Sequence, residues 1–311
     1  MRVFIAGATG AVGTRLVPLL VAAGHDVVGT SRSAGRLGAI EAAGATGVTM
    51  DGLDAASVRT AVLDARPDVI VHQLTALGGI RFDPRHFDQA FAMTNALRTR
   101  GTDHLLAAAA EAGAGRFIAQ SFTGWPNERT GGPVKTEEDP IDPSPASASR
   151  ETVAAIRHVE QATTDAAGLV LRYGGLYGPG NAIGRGGEIL AMVEARRLPL
   201  VGGGTGVWSF CHVDDAASAT AIAVTRGAPG IYNIVDDEPA PVSQWLPELA
   251  RIVGAKPPMR VPAWLARLLV GEHGVSLMTK IRGSSNAKAK RELGWEPRYP
   301  SWREGFRTGL G

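Results

Sequence analysis

The sequence predicts an α/β protein built on a doubly wound parallel sheet, with a smaller α/β lobe towards the C-terminus. Three observations carry that expectation. Short β-branched runs alternate with alanine- and leucine-rich segments of helical length through the first half of the chain. A glycine-rich turn follows the first of those runs directly. Past Tyr173 the pattern breaks into glycine- and proline-rich loops, Gly174-Gly175-Leu176-Tyr177-Gly178-Pro179-Gly180 and Val201-Gly202-Gly203-Gly204-Thr205-Gly206, and there the smaller lobe is expected.

The expected strands are Arg2 to Ala6, Asp26 to Thr30, Gly47 to Met50, Asp68 to His72, Arg116 to Gln120 and Leu169 to Arg172. Their apolar character suits strands covered on both faces. Helical segments are expected at Gly13 to Ala23, Asp54 to Ala65, Phe91 to Ala112 and Ser149 to Ala166. Right-handed crossovers would stack these units into one sheet. Pro18 should bend or shorten the first helix, because it removes a backbone donor. Trp125 to Ser147, rich in Pro, Gly, Asp and Glu, reads as a long surface loop, either a lid or a solvated excursion.

Composition narrows the function classes. Of 311 residues 44% are hydrophobic and 20% charged, the profile of a globular protein with one large domain or two. Lys plus Arg at 32 against Asp plus Glu at 30 gives a net charge of +2, which argues for no nucleic-acid footprint and no anionic membrane surface. No run approaches the ~20 apolar residues of a membrane span, and Met1 to Ala6 meets the glycine turn without a signal-peptide core. Cys211 is the one cysteine, so an internal disulfide and a multi-cysteine metal site are excluded, and it reads as a small buried hydrophobe in a strand. A cytoplasmic enzyme acting on a small molecule, with no metal, is the expectation.

The sharpest motif is Gly7-Ala8-Thr9-Gly10-Ala11-Val12-Gly13, between the first strand and the first helix. Glycines let the backbone approach a pyrophosphate closely, and the free N–H groups and positive end of the helix stabilise its charge. Gly7, Thr9, Gly10, Ala11 and Val12 are therefore expected to form a Rossmann dinucleotide cradle. At the end of the second strand, Ser31 and Arg32 stand where a carboxylate would accept the ribose hydroxyls of NAD. A hydroxyl beside a guanidinium suits a 2′-phosphate, which favours NADP, with NAD still open and a solvated Arg32 the competing account. Asp51, with Gly52, could serve the adenine amino group. Asp54 is either a second acid there or a helix N-cap.

Together these residues resemble the extended branch of the short-chain dehydrogenase/reductase superfamily, the NAD-dependent epimerase/dehydratase family. Further matches are Asn95 ahead of Gly101-Thr102-Asp103-His104-Leu105-Leu106, Arg172 to Gly180, His212-Val213-Asp214-Asp215, Tyr232-Asn233 and Ala287 to Trp295. The resemblance implies a dinucleotide lying across the C-terminal strand ends, with Gln73, Leu74 and Thr75 passing beside it. It implies that Asn95 holds a strand end or a bridging water, that Tyr173 and Gly174 lie close to the nicotinamide, and that His212 packs structurally. It also implies a Rossmann domain of residues 1–174 and 211–235, a substrate lobe of 175–210 and 236–311, and a homodimer packed through the helices carrying Asn95 and Glu160.

The chain departs from that family where the proton moves. The family pairs a Tyr with a Lys four residues later, whereas four residues beyond Tyr173, Tyr177, Tyr232 and Tyr299 stand Tyr177, Asn181, Asp236 and Arg303. With Glu160 as the family's helix glutamate, the Tyr and Lys positions fall on Thr152 and Ile156. The family serine falls on Phe122, between Ser121 and Thr123. A threonine hydroxyl is too weak an acid to replace a phenol, and isoleucine carries no charge. The residues that grip a sugar-nucleotide diphosphate fall on Gly175 and Trp208, which removes the phosphate clamp. The expectation is thus an atypical extended member, an NAD(P)-dependent oxidoreductase or epimerase/dehydratase-like enzyme on a small, non-nucleotide-sugar carbonyl or alcohol. Its proton donor would be Ser121, Thr123, Tyr177 or a substrate-bound water. Phe122, Trp125 and Trp208 either wall an apolar or aromatic substrate or belong to the core. Arg185 and Arg282 are either anion contacts or solvated surface. The alternative is a catalytically impaired NADP(H)-binding sensor or scaffold.

Overall fold

The computed structural model describes residues 1–78 and 83–311. Seven strands form the central sheet: β1 (Arg2–Ala6), β2 (Asp26–Ser31), β3 (Thr46–Thr49), β4 (Val69–His72), β5 (Arg116–Phe122), β6 (Leu169–Tyr173) and β7 (Gly230–Ile234). They run parallel in the order β7-β6-β5-β4-β1-β2-β3. The first six stand where the sequence places them, shifted by one or two residues at their ends. The seventh, not foreseen as a strand, comes from beyond the glycine-rich loops and pairs with β6 from Leu169 to Tyr173.

Sequence period two explains how the sheet is buried. Val3 and Ile5 face a core built with Leu16, Val17 and Leu20 of α1 (Gly13–Ala22), while Phe4 and Ala6 face the opposite core. That second core is closed by Val58 and Val62 of α3 (Ala55–Ala65), which follows the short α2 (Leu37–Ala42), and by residues of two further helices. These are α5 (Thr102–Ala112), which α4 (Phe87–Ala96) precedes, and α6 (Arg150–Asp165). Pro18 does not end α1 early: both it and Thr14, whose carbonyl loses its partner, are exposed, so water can serve that oxygen. The helix expected from Phe91 to Ala112 starts instead at Phe87 and is interrupted by a π-helical turn, Leu97–Gly101, which buries Arg98. Asp54 caps α3, its carboxylate accepting from the amides of Ala56 and Ser57.

The remaining elements are α7 (Glu188–Glu194), α8 (Val213–Ala223), α9 (Val242–Ile252), α10 (Ala263–Thr279), α11 (Ala287–Leu293) and α12 (Trp302–Thr308). A separate apolar cluster joins Leu190, Trp245, Leu246, Trp302 and Phe306 with Tyr177 and Phe210. Among the described residues no helix is long and apolar enough to cross a membrane.

A buried ion pair ties β6 to α6. Glu160 accepts from Arg172 Nε at 2.7 Å and Nη2 at 2.6 Å, and from Ser121 Oγ at 2.6 Å, with Glu160 and Arg172 both about 5% exposed. Breaking such a pair leaves an uncompensated interior charge. Glu160→Ala is expected to lower the free energy of unfolding in urea by about 3–5 kcal/mol, and a loss below about 1 kcal/mol would show that Arg172 finds water.

Candidate active site

The strand order reverses between β1 and β4, and the crevice beyond that switch point is where an open parallel sheet binds its ligand. Gly7 makes the crevice possible. Its φ is +96°, and a Cβ there would stand 2.8 Å from the Gln73 carbonyl oxygen. A Cβ on Gly13 would likewise lie 2.5 Å from the Gly7 oxygen, so the first turn of α1 rests directly on the end of β1. That first turn has no side-chain cap and no acidic residue. The amides of Thr9, Ala11 and Val12 donate to no protein group among the described residues. Three free donors beside an uncapped helix end fit a pyrophosphate.

The rim fits the rest of a dinucleotide. Ser31 is buried, 3.5 Å from Thr9 Oγ1, and turns the chain by accepting from the Ser33 amide. Arg32 beside it is exposed and has no ion pair or hydrogen bond among the described residues. One Asp51 oxygen accepts the Leu53 amide, and Gly52 packs under Leu74. Gln73 Oε1 and Asn95 Oδ1 are buried acceptors with no donor among the described residues. Thr75 and Leu74 are half-buried in the outgoing β4 loop. The Tyr173 hydroxyl meets Gln73 Nε2 at 2.8 Å and Thr220 Oγ1 at 2.7 Å, and its ring belongs to the core cluster on the α1 side of the sheet. Gly174 is pressed against the Ser209 carbonyl, where a Cβ would sit 2.6 Å away.

The three residues expected to supply a proton are each engaged elsewhere. Ser121 is held by Glu160, and Thr123 Oγ1 lies 2.6 Å from Ser284 Oγ and 3.2 Å from Asn127 Oδ1. Tyr177 is wholly buried in the lobe core between His212, Phe210 and Phe306, its hydroxyl against Gly305 and its pKa driven up by desolvation. None of the three is gathered with the others. His212 is structural: its Nδ1 accepts the Asp214 amide at the start of α8 and its Nε2 lies 2.9 Å from the Gly309 carbonyl. Cys211 is buried in a short strand, Phe210–His212.

The place of the family's relay is filled by apolar chain. Thr152 donates to Asp88 at 2.7 Å and accepts from Asn95 Nδ2 at 3.0 Å, while Asp88 also receives the amides of Glu151 and Thr152 and so caps α6. One turn on, Ile156 is fully buried with Phe87, Trp125, Val153, Leu277 and Ile281, and Phe91, Phe122 and Trp208 pack against that cluster. Phe87 stacks on Phe91 at 4.2 Å and meets Trp125 edge-on at 5.2 Å. Trp208 donates its indole N–H to the Leu277 carbonyl, which closes the cluster against α10.

Phe87 and His273 were not singled out from the sequence. His273 packs 4.4 Å from Phe87 and 5.5 Å from Trp125. Its one sequence signal is a histidine three residues before a serine in a helix rich in apolar residues, a spacing that puts both on one face.

Comparison with known proteins accords with this geometry. The model of the NAD dependent epimerase/dehydratase family matches residues 3–235. A 3-diazoavenalumate denitrifying reductase from a Streptomyces species is 47% identical, over 98% of this chain and 99% of its own. Among solved structures, UDP-glucose 4-epimerase of Thermotoga maritima superposes with a TM-score of 0.77 at 22% identity, covering 100% of this chain and 97% of that one. The NAD-bound dTDP-glucose 4,6-dehydratase of Streptomyces venezuelae gives 0.76 at 21%, covering 100% and 96%. The chain belongs to the NAD-dependent epimerase/dehydratase family of extended short-chain dehydrogenases/reductases, as an enzyme of the oxidoreductase type that uses a nicotinamide dinucleotide.

Proposed function

We propose that the enzyme is an NADPH-dependent reductase that replaces the diazo group of a small aromatic acid by hydrogen. The observation that carries this reading is the fully buried Ile156 in a ring of aromatic side chains, where the family's relay would need a charged lysine. Reduction of a carbonyl requires a proton for the new alkoxide; reduction of an arenediazonium does not. One hydride forms the ring C–H bond, the C–N bond breaks with its electron pair going to nitrogen, and dinitrogen leaves. The charges balance, because the diazonium cation becomes neutral arene and dinitrogen as the neutral dihydronicotinamide becomes the cation. The relative's diazo substrate name and the expected aromatic wall point the same way.

When bound, the reduced nicotinamide supplies the hydride. The chain's residues do the remainder. In this reading Gly7, Thr9, Gly10, Ala11 and Val12 hold the pyrophosphate, Ser31 and Arg32 the 2′-phosphate, and Asp51 and Gly52 the adenine. Gln73, Leu74, Thr75, Asn95 and the backbone of Tyr173 and Gly174 flank the nicotinamide half. Phe87, Phe122 and Trp125 offer ring faces that stabilise a diazonium cation and keep out the water that would hydrolyse it. Ser121, Thr123 and Tyr177 are needed for no proton transfer. The reading includes a division into residues 1–174 with 211–235 and 175–210 with 236–311, a cytoplasmic setting, and a homodimer packed through the helices carrying Asn95 and Glu160.

Two experiments test this. With NADPH deuterated at the transferring C4 position and a hydroxycinnamate-type arenediazonium, deuterium is expected at the ring carbon that bore nitrogen, with dinitrogen released and a solvent isotope effect near unity. Label arriving from deuterated water would sink direct hydride transfer to the ring carbon, and no arene at all alongside intact NADPH binding would sink the proposal and favour the sensor alternative. Arg32→Ala is expected to raise the Kd for NADPH about ten- to a hundredfold, the value of a charge-assisted hydrogen bond, while leaving the Kd for NADH within about twofold.

A further inference from the structure

Against the buried aromatic cluster stands a pair of polar side chains that the described residues leave unsatisfied. His273 and Ser276 lie three residues apart on the second half of α10, each 1% exposed. Neither nitrogen of His273 nor the Ser276 hydroxyl has a hydrogen-bond partner among the described residues. The imidazole is in ring contact with Phe87 and Trp125, the same side chains that enclose Ile156. Leaving buried donors and acceptors unmet is costly. Nothing in the packing repays that cost, since an apolar residue would fill the same space more cheaply.

We propose that His273, with Ser276, is the specificity-determining pair of the substrate site, and that it binds a phenol oxygen on the aromatic substrate. This rests on the reading of the cluster as the substrate wall. A neutral imidazole offers one N–H and one lone pair, and a serine hydroxyl donates once and accepts. A phenol oxygen can donate to the imidazole lone pair and accept from the Ser276 hydroxyl while its ring lies among the aromatic side chains. A carboxylate, which only accepts, leaves the imidazole lone pair unmet. Burial, aided by the charge of Arg129 and only opposed by that of Asp88, depresses the His273 pKa to about 4, so the ring is neutral at pH 7. A hydrogen bond donated to that oxygen also draws electron density from the ring, which raises the electrophilic character of a diazonium group conjugated with it.

The test uses the full-length protein loaded with NADP and two unreactive probes, 4-hydroxycinnamate and cinnamate, with binding followed by calorimetry. Wild type is expected to bind the phenol about tenfold more tightly than its deoxy analogue, the effect of one pair of buried polar groups being met or unmet. His273→Phe should abolish that preference by weakening the phenol alone, His273→Gln should restore part of it, and NADP affinity should not change in either. Equal affinity of wild type for both probes, or equal weakening of both in His273→Phe, overturns the proposal. Because the readout is binding of unreactive ligands, phenol selectivity together with absent diazo turnover would reject the proposed reaction while leaving the assignment of this pair intact.

Discussion

The structure depends on one close approach. At the centre of the sheet, β1 and β4 end side by side and must send their chains in opposite directions, so the turn after β1 and the loop after β4 compete for the same space. Gly7 resolves that competition because it has no Cβ and can take a φ of +96° against the Gln73 carbonyl. Gly13 then lets α1 begin directly beneath it. The free amides of the turn follow from the same constraint: a chain this tightly wound offers no internal acceptor to Thr9, Ala11 and Val12. Free donors of the kind that suit an anion are thus a consequence of how two strands part.

A second constraint concerns charge. In the family's pattern the helix beside the nicotinamide carries an ionisable pair, and such groups need water or counter-charges. Here the same stretch of α6 keeps its polarity at the start, through Asp88, Thr152 and Asn95, and loses it one turn later at Ile156. A lysine at that point would sit among Phe87, Trp125 and Leu277 with its charge desolvated, which drives a lysine pKa down strongly. Loss of the relay and growth of the aromatic cluster are therefore one change: once the charge is gone, the space is most favourably filled by apolar side chains, and once it is filled, a charge cannot return alone.

Much of this was legible in the sequence, and what was not has a common cause. The first six strands and the glycine turn could be read because each is local: a β-branched run, a glycine spacing, a helix start. The absence of Tyr-x-x-x-Lys was equally local. The strand from Gly230 to Ile234 was missed because nothing nearby announces it, and its partner Leu169 to Tyr173 lies about sixty residues earlier. Where Tyr173 and Tyr177 put their side chains was not legible, for a related reason. Their spacing in the chain is right, but which face each side chain takes is decided by Gln73, Thr220 and Gly305, all distant in sequence. Phe87 and His273 stand 186 positions apart and meet only through the packing of α10 against the start of α4.

In the proposed reaction, the hydride chemistry and the aromatic cluster also explain each other. A carbonyl reductase must deliver a proton beside the hydride, and so must admit an ionisable group, and usually water, to the reacting centre. Water is the competitor when the electrophile is a cation that hydrolyses, and the better site for such a substrate is dry, with ring faces to hold the charge. The loss of Tyr and Lys, which for a carbonyl substrate would be a loss of function, is for a diazonium substrate the removal of the groups that keep the pocket wet. A neutral histidine is then the kind of polar residue such a site can retain: it orients an oxygen without bringing a charge, and its buried ring remains uncharged at pH 7.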